Sequence, residues 1–379
     1  MGDYIYSLFG FNGVMCFYIG YRGWTVLGKQ ASPIYRKLFW GFFALLVFTF
    51  PAAEFAEDLL PPDSLWLTIW GSYSMIAVSY IFLLLLFIDL GLLLNNRGIS
   101  FVPRAIKEHK RTPFILSGLI VGTVIVVLIY GSWNARNPVV TNYALDIEKK
   151  AGSLKQLKVV MISDIHYGKI INEPRLNPMV EMTNKLQPDI ILLAGDIMDG
   201  NIDPADVRRL TAVLSLMQAK YGTFAVPGNH DRGLRDNQLL NDFEEAGVKV
   251  LKDNYIKVDD SFYIIGRDDP GRRTGKGRKE LGELMKGIDA SLPLILLDHQ
   301  PIDLINAQAV GVDLQLSGHT NRGQIFPSNF ITGQIYELDW GPLKKESYHL
   351  VVSSGYGTWG PPLRIGSNSE IVNIKMNFQ

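Results

Sequence analysis

The first third of the chain is dominated by long apolar stretches. A helix needs about 20 residues to cross a bilayer, and four of the stretches reach that length. They lie near Tyr4 to Leu27, Lys37 to Glu57, Leu65 to Leu94 and Pro113 to Trp133. The first is the least apolar, because it contains Asn12, Arg22 and several glycines. The pattern predicts a transmembrane bundle of four helices over residues 1–135.

The charges between these stretches predict their orientation. The connection over residues 58–64 contains no Lys or Arg. The connections before and after it carry basic residues, which are Lys29, Arg36, Arg97, Arg104, Lys107, Lys110 and Arg111. Basic connections stay in the cytoplasm, so everything after Trp133 is expected on the extracytoplasmic side of the cytoplasmic membrane. A soluble helical bundle is the alternative, and it does not account for this alternation of charge.

From about Pro138 the apolar runs become short and end in polar residues. Continuous apolar runs of four to seven residues are typical of strands that are buried on both faces. Helical patterns lie between several of them, for example Arg175 to Leu186 and Pro204 to Lys220. The residues that follow the runs include Asp164, His166, Asp196, Asn229, His230, Asp231, His299, His319 and Asn321. The pattern predicts an α/β domain over residues 136–379.

These polar residues predict a metal site. Ligands gather at the carboxyl ends of the strands in open α/β sheets, so all the clusters can contribute to one site. Carboxylate, imidazole and amide ligands suit Mn, Fe or Zn, and the mixture favours Mn or Fe. Two such ions about 3.5–4 Å apart can share a carboxylate, hold a phosphoryl group and activate a water. A histidine beside them can protonate the leaving oxygen.

Charge and cysteine content narrow the function further. The 379 residues include 37 Lys and Arg and 37 Asp and Glu, so the formal net charge is zero. A nucleic-acid partner is not expected, because such proteins carry a basic excess. The single cysteine, Cys16, lies in an apolar stretch. It allows neither a disulfide within one chain nor a cysteine-based metal site.

The order of the polar motifs resembles that of the calcineurin-like metallophosphoesterase superfamily, over roughly residues 155–375. The matching motifs are Asp164-Ile165-His166, Gly195-Asp196, Gly228-Asn229-His230-Asp231, His299 and Gly318-His319-Thr320. Two further runs, Gly323 to Pro327 and Gly357 to Arg364, are similar to those of bacterial membrane-bound or exported members. The resemblance implies an αββα sandwich of two sheets.

The resemblance also implies roles for individual residues. Two divalent ions, with Mn favoured and Fe or Zn as alternatives, would be held by Asp164 and His166 on one side, by Asp196 between them, and by Asn229, His299 and His319 on the other. The catalytic residues would be His230, which contacts the phosphate and acts as general acid, and Asp231, which orients it.

Asn321 departs from the family pattern. The last motif is normally Gly-His-x-His, and here it ends in asparagine. The missing imidazole would be a ligand of the first metal ion. Three interpretations stay open: Asn321 is a weaker metal ligand, the site binds substrate without turnover, or water replaces the imidazole in an active enzyme. We hypothesise an activity below that of a histidine version.

Candidate substrate contacts come from basic residues outside these motifs. The turn-rich segment over residues 267–279 contains Arg267, Arg272 and Arg273, and Arg364 lies near the end of the chain. These residues would grip a phosphate, and a solvated loop is the alternative for the segment.

The function predicted is that of a membrane-anchored phosphoesterase. It would use metal-activated hydroxide to hydrolyse a phosphoester, phosphodiester or pyrophosphate bond. Four helices exceed what an anchor needs, which favours a lipid-linked substrate and contact with membrane lipid. The alternative is a catalytically impaired binding or regulatory membrane protein with a degenerate metal site.

Overall fold

A computed structural model of the chain describes residues 2–25, 32–56, 65–97, 102–200, 202–231, 237–271 and 278–379. Arg272 and Arg273 lie outside the described residues, as do most of the first two connections between the apolar stretches. The chain divides into two compact units. One contains the helices as far as Gly131, and the other contains the chain from Ser132 onward apart from Gly360–Pro362.

The helical unit is built from α1 (Gly2–Gly23), α2 (Pro33–Ala56), α3 (Leu65–Asn96), the short α4 (Arg104–Glu108) and α5 (Thr112–Arg136). Within the described residues, α2, α3 and α5 are long and apolar enough to cross a membrane. The predicted count of four spans is therefore corrected to three. The first stretch does form a helix, but Asn12, Arg22 and its glycines make α1 less apolar than the others.

A polar contact joins α1 to α3. The side chains of Tyr18 and Arg22 both donate hydrogen bonds to the carboxylate of Asp89, and the Arg22 pair is 2.5 Å long. Around it, Met15, Cys16, Ile19 and Val78 form a small buried apolar cluster. Arg22 of α1 and Asp89 of α3 are therefore partners of each other.

The unit from Ser132 onward contains two six-stranded sheets. The first has the spatial order β1 (Val139–Ile147), β12 (Glu370–Phe378), β2 (Gln156–Ile162), β3 (Ile190–Leu193), β4 (Thr223–Ala225) and β5 (Val248–Val250). The second has the order β10 (Gly341–Lys345), β11 (Tyr348–Val352), β9 (Leu314–Ser317), β8 (Leu294–Leu297), β7 (Phe262–Gly266) and β6 (Asn254–Val258). Strands β2 to β5 of the first sheet run parallel to one another, and so do β7, β8, β9 and β11 of the second.

Helices cover the outer faces of the sheets. They are α6 (Glu173–Lys185), α7 (Pro204–Leu214), α8 (Asn237–Glu245), α9 (Leu281–Leu284), α10 (Leu304–Ala309) and α11 (Ser328–Ile335). Asp203 caps α7, because its carboxylate accepts a hydrogen bond from the backbone of Ala205 at 3.0 Å.

Alternation along the strands divides the core into layers. In β2, Val159 and Met161 pack between the sheets, whereas Val160 and Ile162 pack toward the first sheet's outer helices. A third apolar cluster joins the second sheet to α9 and α10. The strands are thus buried on both faces, and the predicted αββα sandwich is confirmed.

Candidate metal centre

The loops after five parallel strands meet at one edge of the sandwich. They follow β2, β3 and β4 in the first sheet and β8 and β9 in the second. Three groups of potential metal ligands form there, each with its ligand atoms within 4.8 Å of one another. They are Asp164, His166 and Asp196; Asp196, His299 and His319; and His166, Asp199 and His230. Asp196 belongs to the first two, so its carboxylate lies between two adjacent positions that could each hold an ion.

The backbone at these positions is in an unusual conformation. The φ angles of Asp164, His166, Asp196, His319 and Asn321 are 49°, 50°, 51°, 71° and 48°. Such left-handed conformations are costly for residues other than glycine and cluster at functional sites. Hydrogen bonds between the loops hold them, since Asp164 and His166 donate from their backbone to the carbonyls of Gly195 and Asp196, both at 3.0 Å.

Several buried ligand atoms lack a hydrogen-bond partner among the described residues. They are both ring nitrogens of His166, Nε2 of His299 and Oδ1 of Asn229. Nδ1 of His299 donates to the carbonyl of Ala194 at 2.8 Å, which leaves Nε2, 3.2 Å from the Asp196 carboxylate, as the ring nitrogen that could bind an ion in place of a proton. Buried polar atoms normally have hydrogen-bond partners, so a cluster of nitrogen and oxygen atoms without them fits a site for metal ions.

The electrostatics of the site favour a cation. Burial opposes protonation of His299, yet the Asp196 carboxylate 3.2 Å away raises the pKa of His299 to about 10. Burial also opposes ionisation of Asp196, but the charge of His299 holds the pKa of that carboxyl well below its usual range. Burial lowers the pKa of His166, and it lowers the pKa of His319 to about 4. These two imidazoles are therefore neutral, the form that binds metal.

Two glycines allow the loops to approach each other closely. A Cβ at Gly318 would overlap the carboxylate of Asp164, and one at Gly228 would overlap that of Asp196. The glycines of the Gly-Asn-His-Asp and Gly-His-Thr motifs are thus required by packing around the ligands.

His230 lies at the open side of the site. Its side chain is 26% exposed, and its ring packs edge-on against those of His166 and Trp359. Nδ1 is 3.2 Å from Oδ1 of Asp199, and the backbone N–H donates to Asp196 at 2.8 Å. An imidazole in this position can reach a bound substrate.

The contacts of His230 and Asp231 differ from those expected. The carboxylate of Asp231 accepts hydrogen bonds from the backbone N–H groups of Gly228, Ile197 and Met198, at 2.8, 3.1 and 2.7 Å. It ties the loops after β3 and β4 together, and the carboxylate beside the His230 ring is that of Asp199. A second carboxylate three residues after Asp196 is the signal that could have indicated Asp199 from the sequence.

Comparison of the chain with known proteins agrees with this geometry. The family model for the calcineurin-like phosphoesterases matches residues 157–323. An uncharacterized metallophosphoesterase of Aquifex aeolicus is 34% identical over 242 residues, which are 62% of this chain and 90% of that protein. The chain belongs to the calcineurin-like metallophosphoesterase family. The chain therefore has the fold of a metal-dependent phosphoester hydrolase, and we call the unit from Ser132 onward the catalytic unit. Membership of the family implies a dinuclear divalent metal site.

Two further proteins are similar to the present chain, and one of them matches over most of its length. One from Campylobacter jejuni, also an uncharacterized metallophosphoesterase, is 34% identical over 259 residues, 66% of this chain and 67% of that protein. A "transmembrane protein with metallophosphoesterase domain" from Danio rerio is 29% identical over 369 residues, 92% of this chain and 82% of that protein. The second match includes the helical unit.

Asn321, the candidate ligand at the end of the last motif, is hydrogen-bonded through both atoms of its amide. Its Oδ1 accepts a hydrogen bond from Nη2 of Arg364 at 2.9 Å, and its Nδ2 donates to Oδ1 of Asp164 at 3.3 Å. The amide oxygen, the only atom that could bind a cation, is thus engaged by a guanidinium. Asn321 links Arg364 to a metal ligand.

Arg364 and Arg267, two of the candidate substrate contacts, are both buried. Arg364 is fully buried and also donates to the carbonyl of Gly357 at 2.9 Å. Burial lowers its pKa to about 10, and the charge of Asp164 opposes that shift. Arg267 is buried too, with Nη1 3.6 Å from the buried carboxylate of Asp298. Both positive charges stabilise the interior near buried carboxylates.

Proposed function

We propose that this metallophosphoesterase is a membrane-anchored enzyme that hydrolyses a phosphoester, phosphodiester or pyrophosphate bond of a lipid-linked substrate with two divalent ions, Mn²⁺ being favoured. One observation carries the proposal: the carboxylate of Asp196 belongs to two adjacent ligand groups. Two ions that share a carboxylate, when bound, neutralise the charge of a phosphoryl group and acidify a water.

The ligands divide between the two positions. Asp164 and His166 would hold one ion with Asp196, and the other would be held by Asp196, Asn229, His299 and His319. This division is supported by the side-chain atoms of His166, His299 and Asn229 that are buried without a hydrogen-bond partner. Asn321 supplies no ligand in it, so the first position has fewer protein ligands than the family pattern provides.

His230 is the candidate general acid. Asp199 accepts a hydrogen bond from Nδ1 and so orients the ring, which leaves Nε2 to face the substrate. Burial lowers the pKa of His230, but the hydrogen bond to Asp199 and the charge of Asp196 outweigh it and raise the pKa above its usual value. A raised pKa keeps the imidazole protonated, as donation to a leaving oxygen requires.

The membrane anchor supports a lipid-linked substrate. Three helices can cross a bilayer, and a transmembrane relative from Danio rerio matches over both units. The distribution of basic residues favours an extracytoplasmic catalytic unit in the cytoplasmic membrane. A soluble substrate would not require such a location.

The alternative of an impaired binding protein is not favoured. Six of the seven expected ligand positions hold the residue type that the resemblance implies, and five of them, Asp164, His166, Asp196, His299 and His319, belong to the two ligand groups that share Asp196. A site released from selection for catalysis would be expected to lose more than one of them.

Hydrolysis by the full chain in detergent tests the proposal. The chain is incubated with Mn²⁺ and with two phosphodiesters that share a chromogenic leaving group, one soluble and one carrying a lipid chain. We expect Mn²⁺-dependent hydrolysis of both and faster hydrolysis of the lipid substrate. No Mn²⁺-dependent hydrolysis of either would contradict the enzymatic function, and equal rates would contradict the preference for lipid.

A further inference from the structure

Helix α11 presents an unusual apolar surface on the catalytic unit. Phe330, Ile331 and Ile335 are 64%, 61% and 67% exposed. The helix has the sequence SNFITGQI, which contains no charged residue, and none of its side chains is buried. We call Phe330, Ile331 and Ile335 the α11 surface. Exposed apolar clusters of this kind mark contact with a partner or a membrane.

The α11 surface lies beside the metal centre. Tyr336, the residue after the helix, packs its ring 5.9 Å from that of His319. Before the helix, the side chain of Gln324 hydrogen-bonds the backbone of Trp359 in both directions, at 2.8 and 3.0 Å. Trp359 in turn contacts His230. Whatever covers α11 is therefore next to the substrate entrance.

Hydrogen bonds within the catalytic unit connect this region to the end of α5. Asn134, in the last turn of α5, is buried and donates to the carbonyls of Arg364 and Ser367, at 3.1 and 2.7 Å. Between those two residues, Ile365 accepts from the backbone of Phe326 at 2.7 Å. Phe326 stands two residues before α11.

These contacts favour the membrane as the partner of the α11 surface. Helix α5 is long and apolar enough to cross a membrane, and such a helix ends at the membrane interface. The segment that leads into α11 is fixed to that end through one strand-like pair, Ile325 with Ile365. Contacts within one unit therefore link the segment before α11 to the last turn of a helix that can cross a membrane.

A second copy of the chain fits the surface less well. Three side chains of this size offer at most about 500 Å². A stable protein interface needs roughly 800 Å² from each partner. An interfacial helix, in contrast, needs only a small apolar face to rest among lipid headgroups and upper acyl chains.

We propose that the α11 surface contacts the lipid bilayer and holds the entrance of the metal centre at the membrane surface. A lipid-linked substrate would then reach the ions while its chain stays in the bilayer. The contact itself is independent of catalysis, whereas this route for the substrate rests on the proposed function.

Fluorescence quenching tests the contact. Cys16→Ser removes the single cysteine, and Phe330→Cys or Ile335→Cys then carries an environment-sensitive fluorophore in the full chain. The labelled chain is reconstituted in vesicles whose lipids carry a quencher in the upper acyl chain. Leu216→Cys is the matched control, because Leu216 is 57% exposed but precedes β4, at the strand ends away from the site.

We expect quenching at positions 330 and 335 at least threefold stronger than at position 216. Equal quenching at all three positions would overturn the proposal. Energy transfer between labelled copies without quenching by lipid would overturn it in favour of self-association.

A double variant tests the route of the substrate. Phe330→Ser with Ile331→Ser should leave the hydrolysis of a soluble phosphodiester unchanged and slow that of a lipid-borne phosphodiester in vesicles at least tenfold. Equal loss on both substrates, or no loss on either, would overturn the route. If the unmodified chain hydrolyses neither, the proposed function fails, and quenching still decides the membrane contact.

Discussion

The amide oxygen of Asn321 accepts a hydrogen bond from Arg364, and its nitrogen donates to the metal-ligand candidate Asp164. A buried cation and a buried carboxylate are thereby joined through one asparagine, at the position where the family has a histidine. The arrangement keeps Asp164 oriented although the imidazole is missing.

Asn321→His should lower the Mn²⁺ requirement. The imidazole restores a ligand to the first position, and changes of this kind alter metal affinity by about 10–100-fold. We expect half-maximal hydrolysis at an Mn²⁺ concentration at least about tenfold lower than for the natural chain, measured by metal titration of the rate. Asn321→Ala is the control, since it adds no ligand. The same Mn²⁺ dependence for the histidine variant and the natural chain would mean that position 321 does not reach the ion.

Arg364→Met should destabilise the catalytic unit. The carbonyl of Gly357, Oγ of Ser367 and Oδ1 of Asn321 would lose their donor inside the protein. Removing one partner of a buried charged pair lowers the free energy of unfolding by about 3–5 kcal/mol. For a unit of this size the melting temperature should fall by about 10 °C, measured by tryptophan fluorescence in detergent.

Arg322→Met is the control for this loss. The guanidinium of Arg322 lies 4.0 Å from the ring centroid of Trp340 and is only partly buried, so its removal should cost less than about 1 kcal/mol. Similar melting temperatures for the two variants would contradict the structural role of Arg364.

Asp199→Asn should impair proton donation by His230. The hydrogen bond to Asp199 is one of the contacts that raise the pKa of His230. His230 donates only when protonated, so the rate falls as the pH rises through that pKa, and the variant should show this fall at lower pH. At a pH of about 8, hydrolysis of an alkyl ester should slow at least tenfold, because general acids contribute roughly 10²-fold or more.

The leaving group provides the control for this prediction. A nitrophenolate leaves without protonation, so Asp199→Asn should barely change the hydrolysis of a nitrophenyl ester. Asp206→Asn, which removes an exposed carboxylate paired with Arg209, should alter neither rate. Equal slowing of both esters by Asp199→Asn would argue against the acid role of His230.

The sequence predicted the features that depend on local pattern. Apolar runs alternate in burial, as Val159 and Val160 do on opposite faces of β2, so the strands and their polar ends could be found without coordinates. Parallel strands then bring those ends together, which is why Asp196 and His299 meet although they are distant in the chain.

The features that the sequence did not predict depend on distant partners. Arg364 was expected at the substrate because it lies near the end of the sheet, but it is buried and donates to Gly357 and Asn321. Asp199 follows no strand directly, and its role depends on where the loop after β4 places His230. In α1, Arg22 has its partner, Asp89, on another helix, which no periodicity reveals.

Metal binding should stabilise the catalytic unit. A ligand present at 100 times its Kd adds about 2.7 kcal/mol to the free energy of unfolding. We therefore expect Mn²⁺ to raise the melting temperature of the chelator-treated chain by about 5–10 °C. His349→Gln, a change outside the site, should retain the shift. The absence of any shift in the natural chain would contradict metal binding by these residues.

Electron paramagnetic resonance of the Mn²⁺-loaded full chain tests the dinuclear site most directly. Two ions that share the Asp196 carboxylate should give the spectrum of a spin-coupled pair. Asp196→Asn should abolish that coupling and slow Mn²⁺-dependent phosphodiester hydrolysis at least 100-fold. A coupled pair in the natural chain that disappears in the variant is the result we predict. Only isolated Mn²⁺ in the natural chain, or a coupled pair that survives Asp196→Asn, would contradict it.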